Sequence, residues 1–430
     1  MIPRLCAISR RRLCYTVLFA IILLLVSAIY TKQNEHFRNL AERDSIPTYG
    51  IYNGNLQPPA STTTISSRAI NRGKNNMKSA NISLELKSLI KDVSKGKFYP
   101  QMIHDTPSLF NQLPSQGYSM DFPRNGCWQT NGTLRCIPGL YVAGFPKCGT
   151  TNLFIKLTLH PKITRTSKKE VYWWSASDNS SQNRYNADLY SYTDKVTPAD
   201  MDTTRDSYII DGTPSLVNVV LGQYPKRFPP SEFPPYTNAD ILHWVLPSAK
   251  VIVTVRNPVD RAWSAYFYFN DNPPVTAATF EVDTRKMIGD MKKCLSKYSL
   301  RSCCSHWREG DWYRRIAISR SIYICYIVEW KLKFGDNLYL LNLDEFRERP
   351  LEIMQDVYRW LNLTNDFSGL KEGLQTVDGA TNYKEEERML DGSRIRLEEF
   401  FRPYNIMLAE FFNDARFLNW NEKSLHSPNR

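Results

Sequence analysis

The chain is short of histidine, of acid and of paired cysteine motifs. Its 430 residues include six histidines, which form no close cluster. No C-x-x-C pair occurs among the nine cysteines, which argues against a zinc ribbon. Asp and Glu total 43 against 55 Lys and Arg, a net charge of +12. So basic a balance suits an anionic partner, whether nucleic acid, phospholipid, nucleotide or acidic glycan. No internal repeat stands out. What remains is a globular composition, 42% hydrophobic and 23% charged, which excludes wholesale disorder and fibrous structure. The length fits one large domain or two ordinary ones.

Charge is absent from Leu13 to Tyr30, a run of 18 residues. At 1.5 Å per residue such a run just crosses a bilayer core of about 30 Å. Arg4, Arg10, Arg11 and Arg12 precede it with no acid, so residues 1–12 read as a cytosolic tail and 13–30 as a transmembrane signal anchor. A cleaved signal peptide is the alternative; the length of the run and the lack of a small-x-small site stand against it. The bulk of the chain then faces a lumen and keeps a charge of +8, because residues 1–30 hold four Arg and no acid. On this topology nucleic acid is not an expected partner, whereas an acidic glycan is. Asn81, Asn131, Asn179 and Asn362 head four N-x-S/T sequons and are candidate glycosylation sites. Seven cysteines lie beyond the membrane run, where a lumen lets several pair. Cys127 and Cys136 can clip a turn at Asn131-Gly132, and Cys294 can pair with Cys303 or Cys304. The odd count leaves at least one thiol free.

Residues 31–97 are rich in Ser, Thr, Asn and Pro and read as a stem, with a short helix near Leu84–Val93. From residue 98 to about 425 short apolar strands alternate with helical stretches. Strands are expected at Leu140–Phe145, Tyr208–Ile210, Lys250–Val255 and Leu338–Leu343, and helices at Thr150–His160, Pro258–Tyr268 and Leu351–Leu361. This is an α/β pattern, a P-loop-like parallel sheet flanked by helices. Five prolines within residues 225–235 impose an irregular loop.

Two segments carry phosphate chemistry. Gly144-Phe-Pro-Lys-Cys-Gly149 has the G-x-x-x-x-G spacing of a nucleotide loop between a strand and a helix. The lysine of an NTP-binding loop is missing, since Thr150 stands in its place and Lys147 lies three residues earlier. The strand ending at Arg256 offers no acid for Mg²⁺, so a kinase or NTP hydrolase lacks two of its parts. What remains is a phosphate cradle with one embedded lysine, or a plain glycine-bearing turn. In the second segment, Asn257 caps a helix that Pro258 opens. Arg256 thus sits at the carboxyl edge of a buried strand, where α/β proteins bind ligands, and Ser264 lies two helical turns on. Arg256 and Ser264 make a second phosphate site, or else an ion pair and a surface serine. His243, in an apolar helix face, reads as packed.

Together these segments resemble the Golgi carbohydrate sulfotransferases, over residues 98–420. GFPKCGTTNLF, KE-x-x-WW, FFRPYNIMLAEFF and DARFLNW resemble the branch that sulfates O6 of N-acetylgalactosamine 4-sulfate. The resemblance implies 3′-phosphoadenosine 5′-phosphosulfate (PAPS) as donor, whose two phosphate-bearing ends account for two cradles. Pro146, Lys147, Cys148, Gly149, Thr150, Thr151 and Asn152 would hold its 5′ end, and Arg256 and Ser264 its 3′-phosphate. Lys384 or Arg388 stands for a late basic loop that is poorly reproduced, with Glu385, Glu386 and Glu387 among its residues. Glu170 would be the base beside Lys169, Trp173 and Trp174 would offer a face to a sugar, and Asp211 lies in a segment matched near the acceptor. A sugar hydroxyl needs such a proton acceptor as it attacks sulfur. Lys147 would stabilise the leaving oxygen. No metal is expected, because lysine and helix dipole supply the positive field. The implied acceptor is a glycosaminoglycan such as chondroitin or dermatan sulfate, reached in the Golgi lumen by a single-pass type II protein. A homodimer is left open. The alternatives are the same chemistry on heparan sulfate or another glycan, and a non-catalytic, membrane-tethered glycosaminoglycan-binding protein.

Overall fold

A computed structural model describes residues 72–94, 99–174, 188–201, 204–218, 234, 236–306, 312–363, 373–374 and 387–421. The anchor at 13–30, Asn179, Lys384 and most of the proline-rich loop lie outside them. Among the described residues no helix is long and apolar enough to cross a membrane.

Helices α1 (Arg72–Ser94), α2 (Tyr99–Asp105) and α3 (Pro107–Gln112) come first. A hairpin follows, β1 (Gly126–Thr130) and β2 (Thr133–Ile137). Asn131 and Gly132 form its two-residue turn, both left-handed with φ of 50° and 74°, the geometry Asn-Gly favours. Cys127 faces Cys136 across this ladder and the two are disulfide-bonded. The chain continues through β3 (Leu140–Gly144), α4 (Thr150–Leu157), β4 (Ile163–Arg165), α5 (Leu189–Val196), β5 (Tyr208–Asp211), α6 (Asn238–Val245), β6 (Lys250–Val255) and α7 (Pro258–Phe269). Then come α8 (Ala277–Leu295), α9 (Leu300–His306), α10 (Trp312–Ser319), α11 (Ile324–Phe334), β7 (Leu338–Asn342), α12 (Leu343–Glu348), α13 (Pro350–Trp360) and α14 (Asp391–Phe412).

Five strands form one parallel sheet in the order β4-β5-β3-β6-β7. The near-continuous apolar runs of β3 and β6 have the cause usual for such sheets, burial on both faces. Successive residues alternate between two cores, as a period of two requires. Tyr141, Ala143, Val251, Val253 and Val255 pack with α6, α7 and α11 on one face. Leu140, Val142, Ile252 and Leu341 pack with α4, α12 and α13 on the other. The strands therefore deliver Gly144, Asp211, Arg256 and Asn342 to one edge, the edge where parallel sheets bind ligands.

One expectation changes and one open choice closes. Leu86, Leu89 and Val93 of α1 are buried in the first core, so the packed body includes residues that the sequence reading gave to the stem. Their spacing fits one helical face, but the polar run before them hides it. The second disulfide joins Cys294 to Cys303, while Cys304 is a buried free thiol, as are Cys148 and Cys325. Adjacent positions on a helix point about 100° apart, so only one of the pair can face Cys294. Asn131 and Asn362 are exposed at left-handed turns, where a glycan has room, and Asn81 falls within α1.

Candidate active site

The loop between β3 and α4 is held down before it turns. The Phe145 N–H donates to the Thr254 carbonyl at 2.9 Å, and the Thr254 hydroxyl donates to the Gly144 carbonyl at 2.9 Å. A side chain at 144 has no room, because a Cβ would lie 2.3 Å from a Val217 methyl. The backbone is left-handed at Lys147 (φ 71°) and at Gly149 (φ 76°), where a Cβ would meet Leu343 Cδ1 at 2.4 Å. Gly149 caps α4, and the first helical bond runs from the Leu153 N–H to the Gly149 carbonyl. The amides of Thr150, Thr151 and Asn152 are thus first-turn donors without an intrahelical acceptor, at the positive end of the helix. That is a seat for an anion.

Cations gather around this seat. Arg256 leaves β6 and places Nη1 3.4 Å from the Lys147 carbonyl. Its own carbonyl accepts from the Tyr323 hydroxyl at 2.9 Å. Asn257 caps α7 by accepting from the Val259 N–H, as its sequence position predicts, and its own N–H donates to Asp344. One turn into α7, Arg261 is wholly buried. Its Nε donates to the Pro146 carbonyl at 3.1 Å and its Nη1 to the Ile316 carbonyl and the Ser321 hydroxyl. Its Nη2 has no hydrogen-bond partner among the described residues. Arg261, Ser264 and Tyr268 are spaced i, i+3, i+7 along α7 and share one stripe. That stripe faces the loop, because Arg261 holds Pro146 and the Tyr268 ring lies 3.7 Å from Lys147 Nζ. Burial first, then Arg256 and Arg261, push the Lys147 ammonium down from its usual range to about 8. Burial leads that shift and the two guanidinium groups add to it, and cations gathered at a helix start suit an anionic group.

The second half of the edge is built on β5. Lys169 and Tyr172 both hydrogen-bond the Glu170 carboxylate, one on each oxygen. Glu170 lies near enough to Lys147 to raise its proton affinity. The segment is fixed from below. The Gly212 N–H donates to the Lys169 carbonyl, and the Val171 and Tyr172 N–H groups donate to the Thr213 hydroxyl oxygen at 3.1 and 3.2 Å. That hydroxyl in turn donates to Asp211 at 2.7 Å. Tyr192 donates to the other Asp211 oxygen and accepts from the Trp174 indole. Burial pushes the Asp211 carboxyl up, partly offset by these bonds.

Residues 138–366, just over half of the chain, match a profile described as the sulfotransferase family. The chain belongs to the sulfotransferase family. Rat carbohydrate sulfotransferase 15 is 26% identical over 311 residues, covering 66% of this chain and 55% of that protein. Human bifunctional heparan sulfate N-deacetylase/N-sulfotransferase 1 is 25% identical over 305 residues, covering 66% of this chain and 30% of the relative. Membrane-associated sulfotransferase kil1 of Dictyostelium discoideum is 28% identical over 157 residues, covering 35% of this chain and 28% of its own. The chain thus spans about half the length, or less, of these curated relatives.

Of the positions named from sequence, this sulfotransferase chain brings Pro146, Lys147, Cys148, Gly149, Thr150, Thr151, Asn152, Arg256, Ser264, Lys169 and Glu170 to one edge. Others lie elsewhere. Trp173 and Trp174 are buried in the core, Trp173 stacked on Tyr192, so neither offers a face to a sugar. Asp211 is wholly buried with both oxygens bonded, and it positions the 169–172 segment instead of meeting an acceptor. The Arg388 side chain is 81% exposed and lies beside Asp391. Cys148 is buried and 3.5 Å from the Tyr323 hydroxyl, so its place in the loop is to pack, and burial raises its thiol. Among the described residues no group of three metal-ligating side chains gathers.

Arg261 and Tyr268 were missed. Their signal was present as the 261, 264, 268 stripe on a helix already placed at the edge. Arg261→Met is expected to destabilise the fold, because the Pro146 and Ile316 carbonyls lose their donor at about 1–3 kcal/mol for each buried group. It also removes a cation that depresses Lys147, so the alkaline fall of activity shifts above pH 8. Thermal unfolding and a pH–rate profile check the two effects.

Proposed function

We propose that the chain is a PAPS-dependent carbohydrate sulfotransferase that transfers a sulfuryl group to a glycosaminoglycan hydroxyl by in-line displacement. The observation that carries this is the meeting, at one sheet edge, of a lysine set beside two arginines in an anion-seating loop and a glutamate held by Lys169 and Tyr172. Amides at the start of α4, with Thr150 and Thr151, hold the 5′ end of the donor. Arg256 and Ser264 bind its 3′-phosphate and thereby fix the line of attack. The donor supplies an activated sulfuryl group. Lys147 stabilises charge on the departing bridging oxygen, and Glu170 takes the proton of the attacking hydroxyl. Lys169 and Tyr172 hold Glu170, and Asp211 acts only through Thr213.

The resemblance to the carbohydrate sulfotransferase 15 branch favours O6 of 4-sulfated N-acetylgalactosamine in chondroitin or dermatan sulfate as acceptor. The charge of +8 beyond residue 30 suits so acidic a chain, and salt weakens that attraction. The two disulfides fit an oxidising lumen, and with residues 13–30 as anchor the reading is a Golgi type II membrane protein. A second reading, transfer to heparan sulfate, draws on the weaker likeness to the heparan sulfate N-deacetylase/N-sulfotransferase.

The test offers the full chain labelled PAPS with chondroitin 4-sulfate, desulfated chondroitin and heparan sulfate in parallel. Label on chondroitin 4-sulfate at O6 is the expected result. Label only on another glycan keeps the mechanism and overturns the acceptor. Glycan binding without transfer, in protein shown to be folded, moves the chain to the tethered binding-protein reading.

A further inference from the structure

Two tyrosines of this edge lack a packing reason to be where they are. Tyr172 and Tyr268 are 50% and 49% exposed, whereas the neighbouring Trp173 and Trp174 are buried. Each touches one of the two side chains that bracket the proposed transfer. The Tyr268 ring lies against Lys147 Nζ, and the Tyr172 hydroxyl donates to Glu170. The two tyrosines also lie near enough for the charge of one to be felt at the other. Tyr172 is held in a left-handed conformation, φ 57°, that a bulky residue adopts only when its surroundings enforce it. The enforcement is visible in the Thr213 hydroxyl oxygen that binds the Val171 and Tyr172 amides.

We infer that Tyr268 and Tyr172 receive the acceptor, the Tyr268 ring lying under the sugar that carries the attacking hydroxyl and the Tyr172 phenol aiming Glu170 at it. The inference rests on the proposed transfer reaction and adds the acceptor subsite to it. In-line displacement sets nucleophile, sulfur and leaving oxygen on one line. Lys147 addresses the leaving oxygen and Glu170 the nucleophile, so a side chain that touches either lies beside the path of the transferred group. The adenine of the donor lies a ribose and a phosphate away from that path, so it is not what meets these rings. A sugar presents C–H groups of slight positive character, and an aromatic face is the negative surface that suits them. Tyr268 is an acceptor-binding residue in this account. Tyr172 is a positioning residue, acting through Glu170.

Kinetics on the full chain separate these roles. Tyr268→Ala should raise the acceptor KM about tenfold with little change in kcat, the loss of roughly one aromatic contact. Tyr268→Phe keeps the ring and should recover most of that KM. Tyr172→Phe should lower kcat about tenfold with the acceptor KM nearly unchanged, because it removes one hydrogen bond to the charged base. Binding of 3′-phosphoadenosine 5′-phosphate (PAP), followed by calorimetry, should stay close to that of the unsubstituted chain in all three. Circular dichroism establishes that each variant is folded. An unchanged acceptor KM in Tyr268→Ala, or a PAP affinity that falls as much as the KM rises, overturns the platform. A KM effect without a kcat effect in Tyr172→Phe overturns the positioning role. Chondroitin 4-sulfate binding in the presence of PAP is measured alongside. If the unsubstituted chain transfers no sulfate, the transfer reading fails, while weaker glycan binding by Tyr268→Ala still supports the platform and unchanged binding overturns it.

Discussion

Lys147→Ala is expected to lower transfer from PAPS by about 10²–10³-fold, the usual cost of deleting one group aimed at developing negative charge. PAP should still bind, because the α4 amides, Arg256 and Ser264 are untouched. The lysine's pH behaviour gives an independent check. Burial, Arg256 and Arg261 hold its ammonium at about 8 in the donor-free protein. Its charged form is therefore complete well below pH 8 and is lost as pH rises through 8. kcat/KM, which reports the free enzyme, should fall on the alkaline side with a midpoint near 8. A bound donor brings negative charge to the loop and raises the lysine, so the same fall in kcat should come at higher pH. Lys147→Arg cannot lose its proton and should flatten that fall while remaining slower than the native chain, since a planar guanidinium does not replace a compact ammonium. Rates measured between about pH 6 and 10 decide the matter. A profile in Lys147→Arg that keeps the fall near 8 would assign that limb to another group.

How the site was legible in the sequence depends on how local each signal is. The strand, loop and helix around Lys147 are written in one continuous stretch, residues 140–157, and the strand end at Arg256 and its Asn-Pro helix start are adjacent in the chain. Such segments carry their own geometry, and both appear where the pattern placed them. The two tryptophans were not legible as core residues for a backbone reason. From Glu170 to Trp174 an extended chain would alternate, and the tryptophans are the obvious large faces. The left-handed turn at Tyr172 breaks that alternation, sending the tyrosine out and both tryptophans into the core. Nothing in the identity of Tyr172 announces a positive φ. It follows from Thr213, some forty residues later in the chain, and from Asp211 beneath it. A buried acid such as Asp211 is likewise indistinguishable in sequence from an exposed one, because only tertiary packing decides its exposure. Arg261 lay within a segment already read, yet a guanidinium turned inward onto carbonyls of the loop and of the 316–321 segment needs the third dimension to be seen.

Glu170→Gln should lower transfer by about 10²–10⁴-fold, the span general-base catalysis contributes, with PAP binding retained. The substitution keeps length and shape, and the amide oxygen can still accept from Tyr172 or Lys169, so what is lost is the ability to take a proton. If Glu170 served only to fix the segment through its two hydrogen bonds, the glutamine variant would keep most of its rate, whereas alanine would not. The comparison of Gln with Ala therefore separates base from brace. Combining Glu170→Gln with Lys147→Ala extends the argument. The two side chains act at opposite ends of the same transfer, so their effects should not add: once the leaving oxygen is unsupported, an idle base costs less. A double variant slower than the native chain by the full product of the two single factors would mean that the two residues act independently, and concerted in-line transfer between them would have to be abandoned.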